Sequence, residues 1–217
     1  MTTASDQLRL DRLFERAAPG YDLQLPLERR ALRTAARFAG PFAGLRVLDL
    51  ATGTGALAAA MLDRGGPPLE LVAVDRSAPM LARARRRLAP FEDRCRISVA
   101  LADARRLPYP EGHFDLVASG YFLHLLERQD AAAALEEVRR VLRPDGRLVV
   151  VVHGAPATGL GRLYRQGWRA LERVMPLAGA GPLEDARPLL VGAGFSIRSE
   201  RRTGLGYWSQ LLLAEAA

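Results

Sequence analysis

The chain has 217 residues, 49% of them hydrophobic, and a formal net charge of +7, which together predict one soluble globular domain with a sizeable core. No apolar run reaches the ~18–20 residues of a membrane span and the polar N-terminus lacks a secretory hydrophobic segment, so we expect a cytoplasmic protein. A single cysteine, Cys95, excludes a disulfide framework and a multi-cysteine zinc site.

The basic charge does not indicate nucleic-acid binding. All 31 basic residues are arginine, which together with abundant alanine, glycine and proline is typical of a composition bias. The arginines are scattered, and no interleaved aromatic platform accompanies them. We therefore expect no nucleic-acid partner, and a monomer or homodimer that acts on a small molecule.

The N-terminal half predicts helices followed by alternating strands and helices. Amphipathic helices over 5–17 and 23–38 precede the first strand, where they would cap a sheet edge or a ligand mouth. The alternation after Gly44 indicates a parallel sheet covered by helices on both faces. The predicted segments are strand 45–50, helix 55–64, strand 69–74, helix 78–88, strand 96–100, strand 114–118, helix 130–142 and strand 147–152.

The helix over 78–88 has clear local causes. Ser77 is its predicted N-cap, Pro79 suits its first turn, and its apolar stripe faces inward. Arg83 and Arg85–Arg87 occupy mostly the opposite face, for which we expect a solvated surface.

The C-terminal part breaks the alternation and then closes the sheet. Residues 154–182 hold glycines and prolines around an amphipathic helix, LGRLYRQGWRALERVM, and a second helix follows to about Val191. Strands near 195–202 and 207–214 have only a short connection, which favours an antiparallel hairpin at the sheet edge.

We therefore predict an α/β fold with a Rossmann-like, doubly wound, mostly parallel seven-stranded sheet. One domain would span 1–217. It would comprise an N-terminal helical cap over 1–44, a ligand-binding core over 45–152, a substrate-side insertion over 153–182, and a C-terminal helix and hairpin over 183–217.

The stretch VLDLATGTGALA, residues 47–58, predicts a strand, a glycine turn and a helix that together hold a ligand. Gly53 and Gly55 allow a tight turn and a close approach of the backbone to that ligand. GTGALA also fits the loose dinucleotide pattern, with Asp75 following Gly55 by 20 residues. An NAD-dependent oxidoreductase is therefore one alternative.

Three carboxylates at successive strand ends favour a different ligand. Asp49, just before the turn, would repel a pyrophosphate but favour the ammonium and sulfonium of S-adenosylmethionine. Asp75 is placed to accept hydrogen bonds from both ribose hydroxyls, and Asp103 from an adenine amino group. The interpretation depends on these carboxylates lining one crevice.

These segments together resemble the class I S-adenosylmethionine-dependent methyltransferases over about residues 45–152. VLDLATGTGALA resembles their first motif, LVAVDRSAPMLARAR their second, LADARRLPYP their adenine segment, and FDLVASGYFLHLL their fourth-strand motif. The resemblance implies S-adenosylmethionine as cofactor and methyl transfer as the reaction. The expected cofactor contacts are Asp49, Ala51, Thr52, Gly53, Gly55, Asp75, Arg76, Met80, Asp103, Ala104 and Ser119.

Within that superfamily the chain resembles the ubiquinone/menaquinone C-methyltransferase branch. ATGTG and the upstream RLFERAAPGYDLQLPLERRAL carry this likeness, because Tyr21-Asp22 stands where the branch has an aromatic-Asp element. Residues 119–128 and 153–182 depart from the branch's segments. We expect a small hydrophobic or aromatic acceptor: quinone-like, phenolic, lipid or a natural-product intermediate. A non-catalytic cofactor-binding module is a further alternative.

The reaction requires an aligned nucleophile and no metal, and the three histidines show no metal-ligand spacing. His124 and His153, after the fourth and fifth strands, are candidate catalytic residues, and Tyr121 is a candidate for orienting the acceptor. The candidate substrate contacts are Tyr21, Leu25, Tyr164 and Trp168. The basic face formed by Arg162, Arg165, Arg169 and Arg173 is a candidate for peripheral membrane contact.

Overall fold

The computed structural model describes residues 22, 25–64, 66–154, 163, 166–167, 185–203 and 208–216. Within them it gives the bounds of seven strands, five α-helices and two short 3-10 helices, Ala89–Phe91 and Leu123–Leu125. The strands are β1 Arg46–Leu50, β2 Glu70–Asp75, β3 Arg96–Leu101, β4 Phe114–Gly120, β5 Leu142–His153, β6 Phe195–Thr203 and β7 Ser209–Ala216. The helices are α1 Leu25–Phe38, α2 Ala56–Leu62, α3 Ala78–Leu88, α4 Arg128–Val141 and α5 Arg187–Gly192.

The strands form one sheet in the order β3-β2-β1-β4-β5-β7-β6. Strands β1 to β5 pair in parallel, whereas β7 is antiparallel to both β5 and β6. The predicted fold class, including the antiparallel C-terminal pair, is confirmed. The chain order reverses between β1 and β4, and in open sheets of this kind ligands bind beyond the carboxyl ends of the strands at such a switch point.

The central strands β1, β2 and β4 are buried on both faces of the sheet, which explains why they are nearly continuous apolar runs. Val47 and Leu116 point to the face covered by α1 and α2. Their chain neighbours Leu48 and Val117 point to the other face, where α4 and α5 pack. Because successive side chains alternate between faces, each strand supplies both halves of the core.

Helix α3 has the predicted bounds, and β5 differs most from its predicted bounds. Ser77 caps α3, accepting a hydrogen bond from the Met80 amide at 3.5 Å. Helix α4 ends at Val141 and β5 begins at Leu142, five residues before the predicted strand. Residues Pro144-Asp145-Gly146, which the sequence predicts as the turn that ends this helix, therefore lie inside β5, because Leu142 pairs with Phe114 and the register shifts beyond that pair. Asp145 there has a left-handed φ of 63°.

Several predicted segments lie outside the described residues. They include the helix over 5–17, most of the insertion over 153–182, and the connection 204–207 between β6 and β7. The division of the chain into cap, core, insertion and C-terminal part stays a prediction. Within the ranges given above, no helix is long and apolar enough to cross a membrane.

Candidate active site

The turn between β1 and α2 combines three residues with left-handed backbone. Ala51, Gly53 and Gly55 have φ values of 53°, 54° and 80°. A Cβ on Gly53 would meet nothing within 4 Å, which leaves room beside the backbone for a ligand. A Cβ on Gly55 would lie 3.2 Å from the Ala84 Cα, so this glycine allows α2 to pack against α3. The predicted cofactor contact of Gly55 stays a prediction beside this packing role.

Asp75 ends β2 and supports the glycine turn. Its Oδ2 accepts a hydrogen bond from the Gly53 amide at 2.8 Å, and its Oδ1 accepts one from the Ser77 amide at 2.9 Å. Each carboxylate oxygen keeps a further lone pair. Burial raises the pKa of Asp75, although the backbone amides oppose that effect. A fixed pair of acceptors beside the turn fits a ribose diol.

Asp49 is almost fully buried beneath the turn, with 1% of its surface exposed. Its Oδ2 accepts a hydrogen bond from the Thr52 hydroxyl at 2.5 Å, whereas Oδ1 has no hydrogen-bond partner among the described residues. Burial raises the pKa of Asp49 to about 7, and the charge of Asp75 adds to this effect. Hydrogen bonds from Thr52 and from the Ala58 amide oppose this rise. The sequence predicts a charged carboxylate here, whereas burial makes its ionisation harder, and a nearby positive charge would favour the ionised form.

Asp103 follows β3 and is already engaged by a neighbour. Arg105 donates from Nη2 to its Oδ2 at 2.7 Å and from Nε to its Oδ1 at 3.1 Å, and also reaches Asp130 at 3.1 Å. These contacts hold the pKa of Asp103 below its usual range. The side chain remains 40% exposed, so an adenine amino group can still approach it. The sequence predicts Asp103 as a cofactor contact but does not indicate its pairing with Arg105.

The other predicted cofactor residues lie near the same sheet edge. Ser119 donates to the Leu50 carbonyl at 3.1 Å, which joins the ends of β4 and β1. Met80 is buried in α3, and Arg76 is exposed beside Asp75. Ala104 is partly buried beside Asp103. Their direct contacts with a cofactor stay predictions.

The three candidate catalytic residues form a buried cluster at the carboxyl ends of β4 and β5, and His153 is the last residue of β5. The ring centroid of His124 lies 6.3 Å from that of Tyr121 and 6.1 Å from that of His153. The Tyr121 hydroxyl is 2.8 Å from the hydroxyl of Ser209, the first residue of β7, which the sequence argument missed. Tyr121 has a left-handed φ of 57°, an unusual conformation for a bulky residue that is often associated with functional sites.

Both histidines of this cluster are uncharged at neutral pH. Burial lowers the pKa of His124 to about 3 and that of His153 to about 4. The neighbouring His153 ring further opposes protonation of His124. The His153 amide lies 3.5 Å from His124 Nδ1, the outer limit of a hydrogen bond, which suits an unprotonated Nδ1. The cluster therefore offers polar contacts without adding positive charge.

Other candidates are placed elsewhere or not described. Leu25 packs against the core cluster on the α1 side, so its predicted contact with an acceptor stays a prediction. Three substrate candidates and the four arginines of the predicted basic face lie outside the described residues: Tyr21, Tyr164 and Trp168, with Arg162, Arg165, Arg169 and Arg173. Arg83 and Arg87 are not on a fully solvated face, since they are only 26% and 25% exposed and both contact Asp22.

Comparison with known proteins identifies the class. Residues 47–146 match the family described as a methyltransferase domain. The magnesium protoporphyrin IX methyltransferase of Synechocystis, solved with bound S-adenosylhomocysteine, shares the fold with a TM-score of 0.68 and 21% identity, covering 88% of this chain and 84% of that one. The chain belongs to the class I S-adenosylmethionine-dependent methyltransferases. It is an enzyme of that class, and S-adenosylmethionine is its cofactor.

Within the class the chain is similar to quinone C-methyltransferases. It is 36% identical to the demethylmenaquinone methyltransferase of Thermus thermophilus over 216 residues, which cover 88% of this chain and 94% of that protein. It is 35% identical to the ubiquinone/menaquinone biosynthesis C-methyltransferase UbiE of Laribacter hongkongensis over 161 residues, 72% of this chain and 64% of that protein. The predicted family is thereby confirmed, in preference to a dinucleotide oxidoreductase.

Proposed function

We propose that this methyltransferase methylates a ring carbon of a small hydroxylated aromatic acceptor of the quinol type. The observation that carries the proposal is the buried, uncharged cluster of Tyr121, His124 and His153 at the same sheet edge as the cofactor residues. The similarity to a demethylmenaquinone methyltransferase and to a ubiquinone/menaquinone C-methyltransferase supports the quinol class.

The cofactor supplies an electrophilic methyl group carried on a positively charged sulfur. Asp75 and the open backbone at Gly53 would hold its nucleoside. Asp49 Oδ1, which accepts no hydrogen bond from the described part of the chain, would suit its positive charge. These residues require no metal and no covalent intermediate. Their contribution is positioning, which can supply much of a displacement's rate enhancement.

The cluster residues orient the acceptor and do not act as a general base that removes its hydroxyl proton. A neutral imidazole accepts a hydrogen bond from a ring hydroxyl and so raises the electron density of the ring. An imidazole with a pKa of about 4 does not retain a proton at neutral pH, so the proton that the acceptor releases passes on to water. Tyr121, held by Ser209, limits the orientations of the ring.

The test is methyl transfer to a panel of reduced quinols, phenols, amines and lipids, followed by mass spectrometry of the products. We expect turnover with quinols. His153→Ala and Tyr121→Phe should each lower kcat about tenfold, the worth of one hydrogen bond, without changing affinity for S-adenosylhomocysteine. Because both histidines stay uncharged, we also expect no loss of kcat/KM near pH 6.5 on acidification.

His113→Ala is the matched control, since this histidine precedes β4 and packs against Tyr109 and Phe114 instead. Turnover of amines but not quinols would reject the quinol class. An activity loss in the His113 variant equal to that in the His153 variant would reject the role of the cluster.

We also propose that this enzyme, which we expect in the cytoplasm, contacts anionic membranes through α1. Arg29, Arg30 and Arg33 are exposed on this helix, and their side chains make no ion pair with any residue that the structure describes. Leu27, one turn earlier, is 60% exposed. Exposed cations beside an apolar side chain suit an anionic lipid surface.

Co-sedimentation with vesicles tests this contact. Wild-type protein should pellet with vesicles containing phosphatidylglycerol but not with pure phosphatidylcholine, and Arg29→Gln/Arg33→Gln should release most of it. Arg64→Gln/Arg86→Gln removes the same charge from other exposed positions and should have little effect. An equal loss of vesicle binding in both double variants would indicate a net-charge effect and would reject the role of α1. Binding of the wild-type protein to nucleic acid but not to vesicles would reject the lipid partner.

A further inference from the structure

Asp22 joins the glycine turn to helix α3 through an ion-pair cluster. Its Oδ1 accepts a hydrogen bond from the Thr54 hydroxyl at 2.8 Å. Its Oδ2 lies 3.0 Å from Nη2 of Arg83 and 3.0 Å from Nη2 of Arg87. Arg87 also donates from Nη1 to the Thr54 carbonyl at 2.6 Å. Both the side chain and the backbone of Thr54 are therefore held.

The cluster holds a different residue of the turn from the one that Asp75 binds. Thr54 is buried and lies between Gly53, whose amide binds Asp75, and Gly55, which packs against α3. Although burial raises the pKa of Asp22, the hydrogen bonds from Thr54, Arg83 and Arg87 outweigh that effect and hold the pKa below its usual value. Asp22 is therefore ionised at neutral pH and keeps two guanidinium groups in place.

The turn needs such support because of its backbone. Ala51 occupies the left-handed region, which costs a residue with a side chain roughly 1–2 kcal/mol, and such conformations persist only where the surroundings fix them. Asp22 precedes α1, outside the alternating strands and helices that build the sheet. Among the described residues, its side chain contacts Thr54, Arg83 and Arg87.

We propose that Asp22 is a positioning residue for cofactor binding, which clamps Thr54 so that the glycine turn is already in its binding conformation when the cofactor arrives. Preorganisation of this kind raises affinity because binding no longer has to order the loop. The proposal rests on S-adenosylmethionine as cofactor and is independent of the acceptor.

Calorimetry with S-adenosylhomocysteine tests the proposal on the full chain. Asp22→Ala should weaken binding about tenfold, whereas Asp93→Ala, which removes the same charge from an exposed turn, should bind as the wild type does. If Asp22 acts through Thr54, the effect of Asp22→Ala should largely disappear in a Thr54→Val background. If Asp22 had only a structural role, Asp22→Ala would lower Tm, and its effect on affinity would be the same with Thr54 and with Val at position 54.

Asp22→Asn keeps an acceptor for Thr54 but loses the ion pairs, and it serves where the alanine variant folds poorly. Because the cluster is partly exposed, wild-type affinity should fall between 50 and 500 mM NaCl, whereas the affinity of the asparagine variant should be nearly flat. Wild-type affinity in Asp22→Ala, or equal losses with and without Thr54, would overturn the proposal. In both of these cases the wild-type protein still binds S-adenosylhomocysteine. It would not bind this compound if the cofactor assignment were wrong.

Discussion

Replacing Asp75 with alanine is expected to weaken binding of S-adenosylmethionine and S-adenosylhomocysteine by at least about 100-fold. A hydrogen bond to a charged acceptor contributes roughly 1.5–3 kcal/mol, and a ribose diol would lose two of them. The variant also leaves the Gly53 amide without its acceptor at 2.8 Å, which should loosen the turn that we expect the cofactor to contact. Isothermal titration calorimetry measures the loss.

Asp75→Asn separates these two effects, because its amide keeps one acceptor oxygen and loses the charge. We expect it to bind with an affinity between those of the wild type and the alanine variant. A thermal melt of each variant shows whether the fold is retained. An unchanged Kd in a folded Asp75→Ala protein would remove this residue from the site.

Asp49→Asn is expected to stabilise the cofactor-free protein at pH 8. The folded-state pKa of about 7 lies above the ordinary value of 3.8, so the folded protein holds a proton that the unfolded chain releases. Stability is therefore lost as pH rises from about 4 to 7, by up to about 4 kcal/mol at ~1.4 kcal/mol per pH unit. Asparagine does not titrate, so the gain should be largest at pH 8 and vanish toward pH 4. Urea unfolding at both pH values measures it.

The same substitution should alter the discrimination between the two forms of the cofactor. Only S-adenosylmethionine carries the sulfonium charge, so its affinity relative to S-adenosylhomocysteine should rise with pH through about 7 as Asp49 ionises. In Asp49→Asn this ratio should not depend on pH. A wild-type ratio that is flat from pH 6 to 8 would contradict the assigned role, as would a variant that is less stable at pH 8.

Local signals predicted the fold well because they act within one element or its neighbours. The Ser77 cap and Pro79 fix the start of α3, and apolar runs mark the parallel strands. Asp49 and Asp75 were predicted at one edge because the carboxyl ends of parallel strands meet there. The topology of the sheet, rather than any side-chain contact, made these two predictions possible.

The contacts that tune the site depend on residues far apart in the chain. Arg83 lies 61 residues from Asp22, and Ser209 lies 88 residues from Tyr121. Periodicity assigned Arg83 to a solvated face, and no pattern in the sequence indicates that a segment ahead of α1 reaches it. The charge state of Asp49 was also missed, because a carboxylate shows its burial only once the surrounding turn is built.

The burial of Asp49 would also link this acid to each catalytic cycle, given the contact with the sulfonium that we propose. Donation of the methyl group turns a sulfonium into a neutral thioether, so the positive charge that would favour an ionised Asp49 disappears. Because burial raises the pKa of Asp49 to about 7, the acid would then take up a proton more readily and lose its attraction for the spent cofactor. On this proposal the reaction itself removes the electrostatic contact that recruited the donor, which would favour exchange of the used molecule for a fresh one.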